Sequence, residues 1–298
     1  MTQVLELLVS GLSLGCIYAL IAMGFVIVFK ATNVVNFAHV SVLMLGAYLV
    51  ARWQEALGFV PAVLLAAIAC AVAAALLDLV FVRTLRRRGG GIDALAILTI
   101  GLNILLATEL SRRVGTDLLP TGAPWGSDVV HVLGIAVPQT RVAAAVVAVV
   151  LMVGFWAAFA YSDWGVALRS AAADWEVAAL MGIRLTRMAA GAWAVAGVLA
   201  AIGGVFFTSF PAAGVSNATY LIALTAIPAA VVGGLDSTAG AVVGGLLIGV
   251  ATTFAAGYQD EISFLGRGLS EVVPYIVLLL VLLWRPSGLF GTREITRV

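Results

Sequence analysis

The chain has 298 residues, of which 63% are hydrophobic and 10% charged, and its formal net charge is +1. Soluble domains carry about 25% charged residues, so this composition, with a mean hydropathy of +1.13, identifies a polytopic membrane protein. A net charge so close to zero leaves no basic face large enough to neutralise several phosphates, which excludes a nucleic-acid partner.

Nine apolar segments are candidate membrane crossings. A helix needs about 20 apolar residues to cross the hydrocarbon core, because backbone polar groups must be paired within the helix there. Some segments are shorter or contain glycines, so the sequence predicts an all-α polytopic membrane protein with about eight to nine transmembrane helices, including interrupted or re-entrant ones. The predicted crossings are residues 4–29, 34–50, 59–82, 92–110, 142–161, 188–208, 220–232, 239–256 and 269–284.

Polar residues stand at the start of the second segment, which reads "NVVNFAHVSVLMLGAYLV" from Asn33. A polar side chain in an apolar span costs free energy without a partner, so such residues face the bundle interior or a water-filled cavity. Asn36 and His39 are therefore expected either to bond between helices or to line a transport path. If this segment is a half-helix beginning within the membrane, Asn33 or Asn36 is expected to cap it.

Three further polar residues lie in apolar segments. Tyr18 belongs to the first segment, whereas Thr99 and Asn103 are four residues apart in the fourth and so share a helical face. Packing is the simpler interpretation of each, and contact with a solute is the alternative.

Basic residues between the segments predict the orientation, because they favour the cytoplasmic side of short loops. If "RTLRRR" at residues 83–88 is cytoplasmic, strict alternation of nine crossings puts eleven basic residues inside and five outside. The N-terminus is then outside and the C-terminus inside, although one re-entrant segment would move the N-terminus to the cytoplasm. The outer residues are Arg52, Arg112, Arg113, Arg141 and Arg267; the inner ones are Lys30, Arg83, Arg86, Arg87, Arg88, Arg169, Arg184, Arg187, Arg285, Arg293 and Arg297.

Two connections are long. Residues 111–140 are expected to form an ordered external loop or a docking surface. Residues 162–187, which read "SDWGVALRSAAADWEVAALMGIRLTR", are too polar to span the membrane. Here Asp174 can cap a short amphipathic helix, Glu176 suits its first turn and Gly182 suits its end. A helix lying on the lipid surface is the alternative interpretation.

A late segment, "PAAVVGGLDSTAGAVVGG" from Pro228, is also interrupted. Pro228 donates no backbone hydrogen bond, the glycine pair loosens the helix, and Asp236, Ser237 and Thr238 can cap the next one. Interrupted spans in two halves of a chain point to a transport path between them, and a tight turn between two helices is the alternative.

Four motifs together resemble the branched-chain amino acid permeases of the LivH type. They are "GLSLGCIYALIAMGFVIVFKATNVVNFAH", the order Glu176, Ala178, Ala179, Gly182 and Ile183, then "AAVVGGLDSTAGAVVGGLLIGV" and "RPSGLFG". The resemblance covers almost the whole length, with the motifs in the family's order.

The resemblance implies an ABC importer permease fold in a single transmembrane domain, residues 1–298, in the bacterial inner membrane. Residues 162–187 would be the cytoplasmic coupling loop, in which Ala178 and Ala179 keep one face slim enough to enter a groove on an ATPase subunit. The implied partners are ABC ATPase subunits, a second permease, identical or homologous, and an extracytoplasmic substrate-binding protein, with lipid around the chain. The coupling residues are Arg169, Asp174, Glu176, Ala178, Ala179, Gly182 and Ile183.

The chain departs from the family pattern where the path is expected. Val40 and Ser41 replace the usual glycine and acidic residue after the histidine, and Thr225 stands where a lysine is common. The solute therefore stays open between a branched-chain or other hydrophobic amino acid and urea, a short amide or another small organic solute. The candidate path residues are Tyr18, Asn33, Asn36, His39, Ser41, Thr99 and Asn103.

Other function classes fit less well. An intramembrane enzyme would need a catalytic constellation, but His39 and His131 are the only histidines. An ion-coupled carrier should show carboxylates within its spans, whereas Asp78 and Glu109 lie near span ends. The single lysine, Lys30, is not part of a Walker loop, so no cofactor is expected in this chain and a partner must hydrolyse ATP.

Overall fold

The computed structural model describes residues 2–122, 124, 128–132, 135–209, 214–216, 219–220, 223–261 and 268–292. Helices predominate in these residues, and a π-helical turn, Asp78–Val82, joins α3 to α4. The helices are α1 Thr2–Thr32, α2 His39–Leu57, α3 Phe59–Leu77, α4 Arg83–Arg87, α5 Ile92–Val114, α6 Gln139–Tyr161, α7 Asp163–Ala173, α8 Trp175–Leu180, α9 Leu185–Phe207, α10 Ala226–Gly233, α11 Thr238–Gly257 and α12 Leu269–Trp284.

All nine predicted crossings overlap helices, which confirms a predominantly helical polytopic membrane protein. Six helices of the described residues are long and apolar enough to cross a membrane: Gln3–Thr32, Phe59–Arg87, Ile92–Val114, Gln139–Tyr161, Leu185–Phe207 and Thr238–Gly257.

The structure therefore does not confirm a count of eight or nine. Helix α10 has 8 residues and α12 has 16, and α2 carries the polar residues Arg52, Gln54 and Glu55 in its last turns. Within the predicted crossing 220–232, residues 221 and 222 lie outside the described residues. The orientation remains a prediction, and three of its basic residues, Arg267, Arg293 and Arg297, also lie outside them.

Strands β1 Val129–Val132 and β2 Ile135–Pro138 form a small antiparallel hairpin. Val129 pairs with Pro138 and Val132 pairs with Ile135. The hairpin lies within residues 111–140, where the sequence predicted an ordered loop but no strands.

The chain divides into two compact units. The first comprises residues 1–26, 125–148 and 225–298, and the second comprises residues 27–124 and 149–224. That the whole chain acts as one transmembrane domain remains a prediction.

Glycines bring helix backbones together within the first unit. A Cβ placed on Gly249 would lie 2.3 Å from the Cα of Gly15, and one on Gly245 would lie 2.3 Å from the amide nitrogen of Ala19. Helices α1 and α11 are therefore in backbone contact, as small residues permit in membranes. Helices α10 and α11 make a similar contact, because a Cβ on Gly233 would lie 2.1 Å from the carbonyl oxygen of Gly240.

Helices α2, α3 and α9 form the packed centre of the second unit. A Cβ on Gly46 of α2 would lie 2.4 Å from the Cα of Ala201 in α9, and one on Gly204 would lie 2.4 Å from the carbonyl oxygen of Leu43. Trp193 of α9 is fully buried in a cluster with Val28 and other apolar residues. This packing fixes the start of α2, where the candidate site residues lie.

Candidate functional site

The chain breaks between α1 and α2, as the sequence predicted, but no asparagine caps α2. Asn33 has a φ of +53° and its amide donates to the carbonyl oxygen of Phe29 at 2.7 Å, so Asn33 ends α1 instead. Ala38 precedes α2 without a side-chain cap, and the amide of His39 bonds to the backbone oxygen of Asn36 at 3.2 Å. The capping prediction for Asn33 and Asn36 is therefore wrong, since asparagine also suits the left-handed end of a helix.

Asn36 and His39 are both buried, with 2% and 1% of their surface exposed, whereas Asn33 is exposed. The Oδ1 atom of Asn36 has no hydrogen-bond partner among the described residues. An unsatisfied buried acceptor costs about 1–3 kcal/mol, so this oxygen is suited to binding water or a polar solute group.

Thr99 of α5 contacts the break directly. Its hydroxyl lies 3.0 Å from the carbonyl oxygen of Val35 and 2.9 Å from that of Ala96, and it accepts a bond from the amide of Phe37 at 3.4 Å. Because Thr99 is fully buried, it holds the segment between α1 and α2 against α5.

Ser41 and Asn103 form a second contact between α2 and α5. The Ser41 hydroxyl donates to Asn103, whose side-chain oxygen and backbone oxygen are both within reach. The side-chain Nδ2 atom of Asn103 in turn donates to the Tyr220 hydroxyl at 2.7 Å. The structure thus brings Asn36, His39, Ser41, Thr99 and Asn103 into one region of the second unit.

Tyr18 belongs to the first unit and makes a different contact. Its hydroxyl lies 2.9 Å from the Thr225 hydroxyl, and both residues are buried. Sequence reasoning noted Thr225 as a departure from the family pattern but did not assign it to the path, and it missed Tyr220. Their partners, Tyr18 and Asn103, are 207 and 117 residues away in sequence.

The segment 162–187 folds into two helices, α7 and α8, where one was predicted. Asp174 caps α8 by accepting bonds from the amides of Glu176 and Val177, each at 2.9 Å. At the other end, Gly182 has a φ of +84°, and its amide donates to Ala179 at 3.0 Å. The predicted cap and stop of this helix are confirmed.

The remaining loop residues divide between the ends and faces of these helices. The Ile183 amide donates to the Ala178 carbonyl oxygen at 3.1 Å and completes the helix end. Arg169 of α7 bonds to the backbone oxygens of Phe159 and Ala160.

The face of α8 that points away from the chain differs from the prediction. Ala178 is only 2% exposed, so it packs against the chain, although Ala179 is exposed. The prediction that Ala178 and Ala179 form a slim face that enters a groove is therefore wrong for Ala178. A helix of six residues is too short for its sequence pattern to show which side is buried. Val177, Leu180 and Met181 are exposed instead.

The short helices α4 and α8 also make contacts that sequence reasoning missed. Arg86 of α4 donates to the carbonyl oxygen of Thr32 at 2.6 Å and lies over the ring of Trp175. The only signal was its membership of a basic cluster. Among the residues that the structure describes, no group of three His, Cys, Asp or Glu side chains could hold a metal ion.

Comparison with known proteins places this arrangement in a family. The family described as "Branched-chain amino acid transport system / permease component" matches residues 7–282. The chain belongs to this permease family. It is therefore a membrane transport component, and its apolar helices make it a multi-pass inner-membrane protein.

Named members of the permease family match over nearly their whole length. The high-affinity branched-chain amino acid transport system permease protein BraD of Pseudomonas aeruginosa is 32% identical, over 99% of this chain and 98% of its own. The corresponding LivH of Salmonella typhimurium is 30% identical, over 99% and 97%. The probable LivH of Methanocaldococcus jannaschii is 26% identical, over 91% and 88%. No solved structure matches significantly.

Proposed function

We propose that this chain is the permease subunit of an ATP-driven ABC importer that moves branched-chain or other hydrophobic amino acids across the inner membrane. The observation that carries the proposal is the near-full-length similarity to permeases named for branched-chain amino acid transport. The chain acts as one transmembrane domain, residues 1–298, with eight to nine crossings in the ABC importer permease fold.

The energy comes from other subunits. Two ABC ATPase subunits bind on the cytoplasmic side, a second permease, identical or homologous, completes the path, and a substrate-binding protein delivers the solute from outside. This chain is not an enzyme and holds no cofactor of its own. The description of the family as one component of a transport system supports this division of roles.

The segment 162–187 docks the ATPase. Helix α8 is suited to this role because Asp174 and Gly182 fix both of its ends, which makes it a rigid unit. Val177 and Leu180 of α8 and Met181 directly after it are exposed large apolar residues, and Leu180 is 86% exposed. Exposed apolar side chains on a rigid helix suit insertion into a groove on a partner.

Leu180→Asp tests this docking surface. The buried carboxylate should prevent the ATPase from co-purifying with the detergent-solubilised permease, because burying an unpaired charge is costly. Ser170→Asp is the matched control, since it adds the same charge at an exposed position of α7. Normal co-purification of the Leu180 variant would contradict docking through α8 and favour a helix that lies on lipid.

The solute path is lined by polar residues. We assign to it Asn36, His39, Ser41, Thr99 and Asn103 of the second unit, and Tyr18 of the first unit and the exposed Asn33 stay separate candidates. The assignment is supported by the unsatisfied Oδ1 atom of Asn36 and by the burial of the five polar residues of the second unit in apolar helices. Asn36→Leu and His39→Leu should lower uptake while the complex still assembles, and normal uptake in both variants would make these residues structural only.

Uptake by the intact system tests the function as a whole. Cells that express the permease with its ATPase and binding protein should accumulate radiolabelled leucine, and a hydrolysis-deficient ATPase should abolish this accumulation. Accumulation of urea or a short amide without leucine would assign the chain to the alternative solutes. Loss of uptake on dissipating ion gradients while ATP is maintained would favour an ion-coupled carrier instead.

A further inference from the structure

The end of α1 is a point where the backbone conformation changes sharply. Thr32 is the last helical residue, and Asn33 follows with a φ of +53°. Among the described residues, Asn33 is the one non-glycine residue with a positive φ. Asparagine is one of the few non-glycine residues that adopt this conformation readily. The segment that contains Asn36 follows directly, so contacts made by the last turn of α1 bear on the geometry of that segment.

Arg86 makes one of these contacts and reaches a second element at the same time. Its Nη2 atom donates to the carbonyl oxygen of Thr32 at 2.6 Å. Its Cζ atom lies 5.1 Å from the centre of the Trp175 ring, which is the first residue of α8. A guanidinium can make both contacts because its face stacks on an aromatic ring while its edge donates hydrogen bonds.

Both groups that Arg86 contacts, the Thr32 carbonyl and the Trp175 ring, belong to ordered helix ends. The carbonyl oxygens in the last turn of a helix have no partner within the helix, so the Thr32 oxygen is available to a side chain. The ring of Trp175 moves with α8, because the cap at Asp174 and the stop at Gly182 make α8 a rigid unit. A displacement of α8 is therefore transmitted through one side chain to the last residue of α1.

A second contact connects the same turn of α1 with the cytoplasmic helices. The Nζ atom of Lys30 lies 5.5 Å from the centre of the Phe159 ring, and the guanidinium of Arg169 lies 5.3 Å from that centre. The last turn of α1 is thus linked to α6 and α7 through Phe159, and to α8 through Arg86. The two contacts involve different residues of α1, Thr32 and Lys30, and different partners, Arg86 and Phe159.

We propose that Arg86 is a positioning residue that links the ATPase-docking helix α8, through Trp175, to the break between α1 and α2. This inference rests on the proposed function, since it assigns a route for the coupling that an importer requires. Arg86 is neither one of the docking residues Val177, Leu180 and Met181 nor one of the residues assigned to the solute path. Its role is to make movement of α8 change the conformation of residues 33–38.

The test compares transport with ATP consumption in the complete complex reconstituted in vesicles. In Arg86→Gln and Trp175→Leu the ATPase should still co-purify, whereas leucine transported per ATP hydrolysed should fall about tenfold, equivalent to about 1.4 kcal/mol of coupling free energy. Trp175→Phe keeps a ring for the cation and should restore most of the ratio. Arg87→Gln is the matched control, because it removes the same charge from an exposed position of the same helix.

Combining the two changes supplies a further criterion. If Arg86 acts through Trp175, the double variant Arg86→Gln with Trp175→Leu should be no worse than either single variant. An unchanged transport ratio in both single variants would overturn the inference while leaving the proposed function intact. A wild-type complex that accumulates leucine without ATP hydrolysis would overturn the proposed function and this inference with it. If Arg86→Gln does not assemble, the difference between Trp175→Leu and Trp175→Phe decides the question.

Discussion

Replacing Thr99 by valine should loosen the segment between α1 and α2 without creating a cavity. Valine has nearly the same shape as threonine but lacks the hydroxyl that lies 3.0 Å from the Val35 oxygen and accepts from the Phe37 amide. Leaving buried groups unpaired costs about 1–3 kcal/mol. Since the Phe37 bond is long at 3.4 Å, we expect the lower half of that range, about 1–2 kcal/mol.

The matched control is Thr208→Val at another buried threonine. The Thr208 hydroxyl lies 2.9 Å from the Gly204 oxygen and 3.1 Å from the Val205 oxygen, both in its own helix. The Gly204 oxygen also accepts the Thr208 amide, so loss of this hydroxyl leaves that carbonyl paired and should cost about 0.5 kcal/mol. The control therefore removes the same group without releasing another segment.

The assay is titration of the purified protein in mixed micelles with a denaturing detergent, followed by tryptophan fluorescence. Thr99→Val should unfold at lower detergent than Thr208→Val. Leucine uptake should fall in Thr99→Val but not in Thr99→Ser, which keeps the hydroxyl. Equal loss of stability in the two valine variants would refute the argument that Thr99 holds the break.

Three further outcomes are expected. Gly46→Ala should destabilise the protein, because the new Cβ would lie 2.4 Å from the Ala201 Cα. Gly101→Ala should instead stabilise it by about 0.5–1 kcal/mol, because its Cβ would meet no atom within 4 Å. The same detergent titration measures the loss and the gain of stability. Gly182→Pro should abolish stimulation of the ATPase while the permease still reaches the membrane, because proline cannot adopt a φ of +84° or donate to Ala179; normal stimulation would contradict this. Ser287→Cys should be protected from an impermeant thiol reagent in intact cells, and labelling there would contradict a cytoplasmic C-terminus.

Local features of this chain were predictable from the sequence. The cap at Asp174 and the stop at Gly182 involve hydrogen bonds between residues two to five positions apart, so neighbouring residues determine them. The break after α1 was predictable for the same reason, since polar residues interrupt an apolar run. Its details were not, because an asparagine can begin a helix with its side chain or end one in the left-handed region, and sequence does not distinguish the two.

Contacts between distant residues were not predictable from a single sequence. Asp236 was predicted to help cap α11, but Ser237 caps it, and the Asp236 carboxylate instead accepts the Thr292 amide at 2.8 Å. The two residues are 56 positions apart. A buried carboxylate, hydroxyl or amide needs a hydrogen-bond partner, but tertiary packing determines which group that partner is.

The position of Arg86 shows how a sequence pattern can mislead about a single residue. Its cluster predicts a cytoplasmic side through the sum of its charges, and for that purpose Arg86 and Arg87 are equivalent. In the folded chain they differ, because Arg86 faces the Thr32 carbonyl and the Trp175 ring while Arg87 is exposed. Orientation depends on net charge, whereas transmission of movement depends on where one guanidinium is held. A substitution that spares the orientation of the protein can therefore still uncouple it, and the comparison of Arg86→Gln with Arg87→Gln separates these two roles.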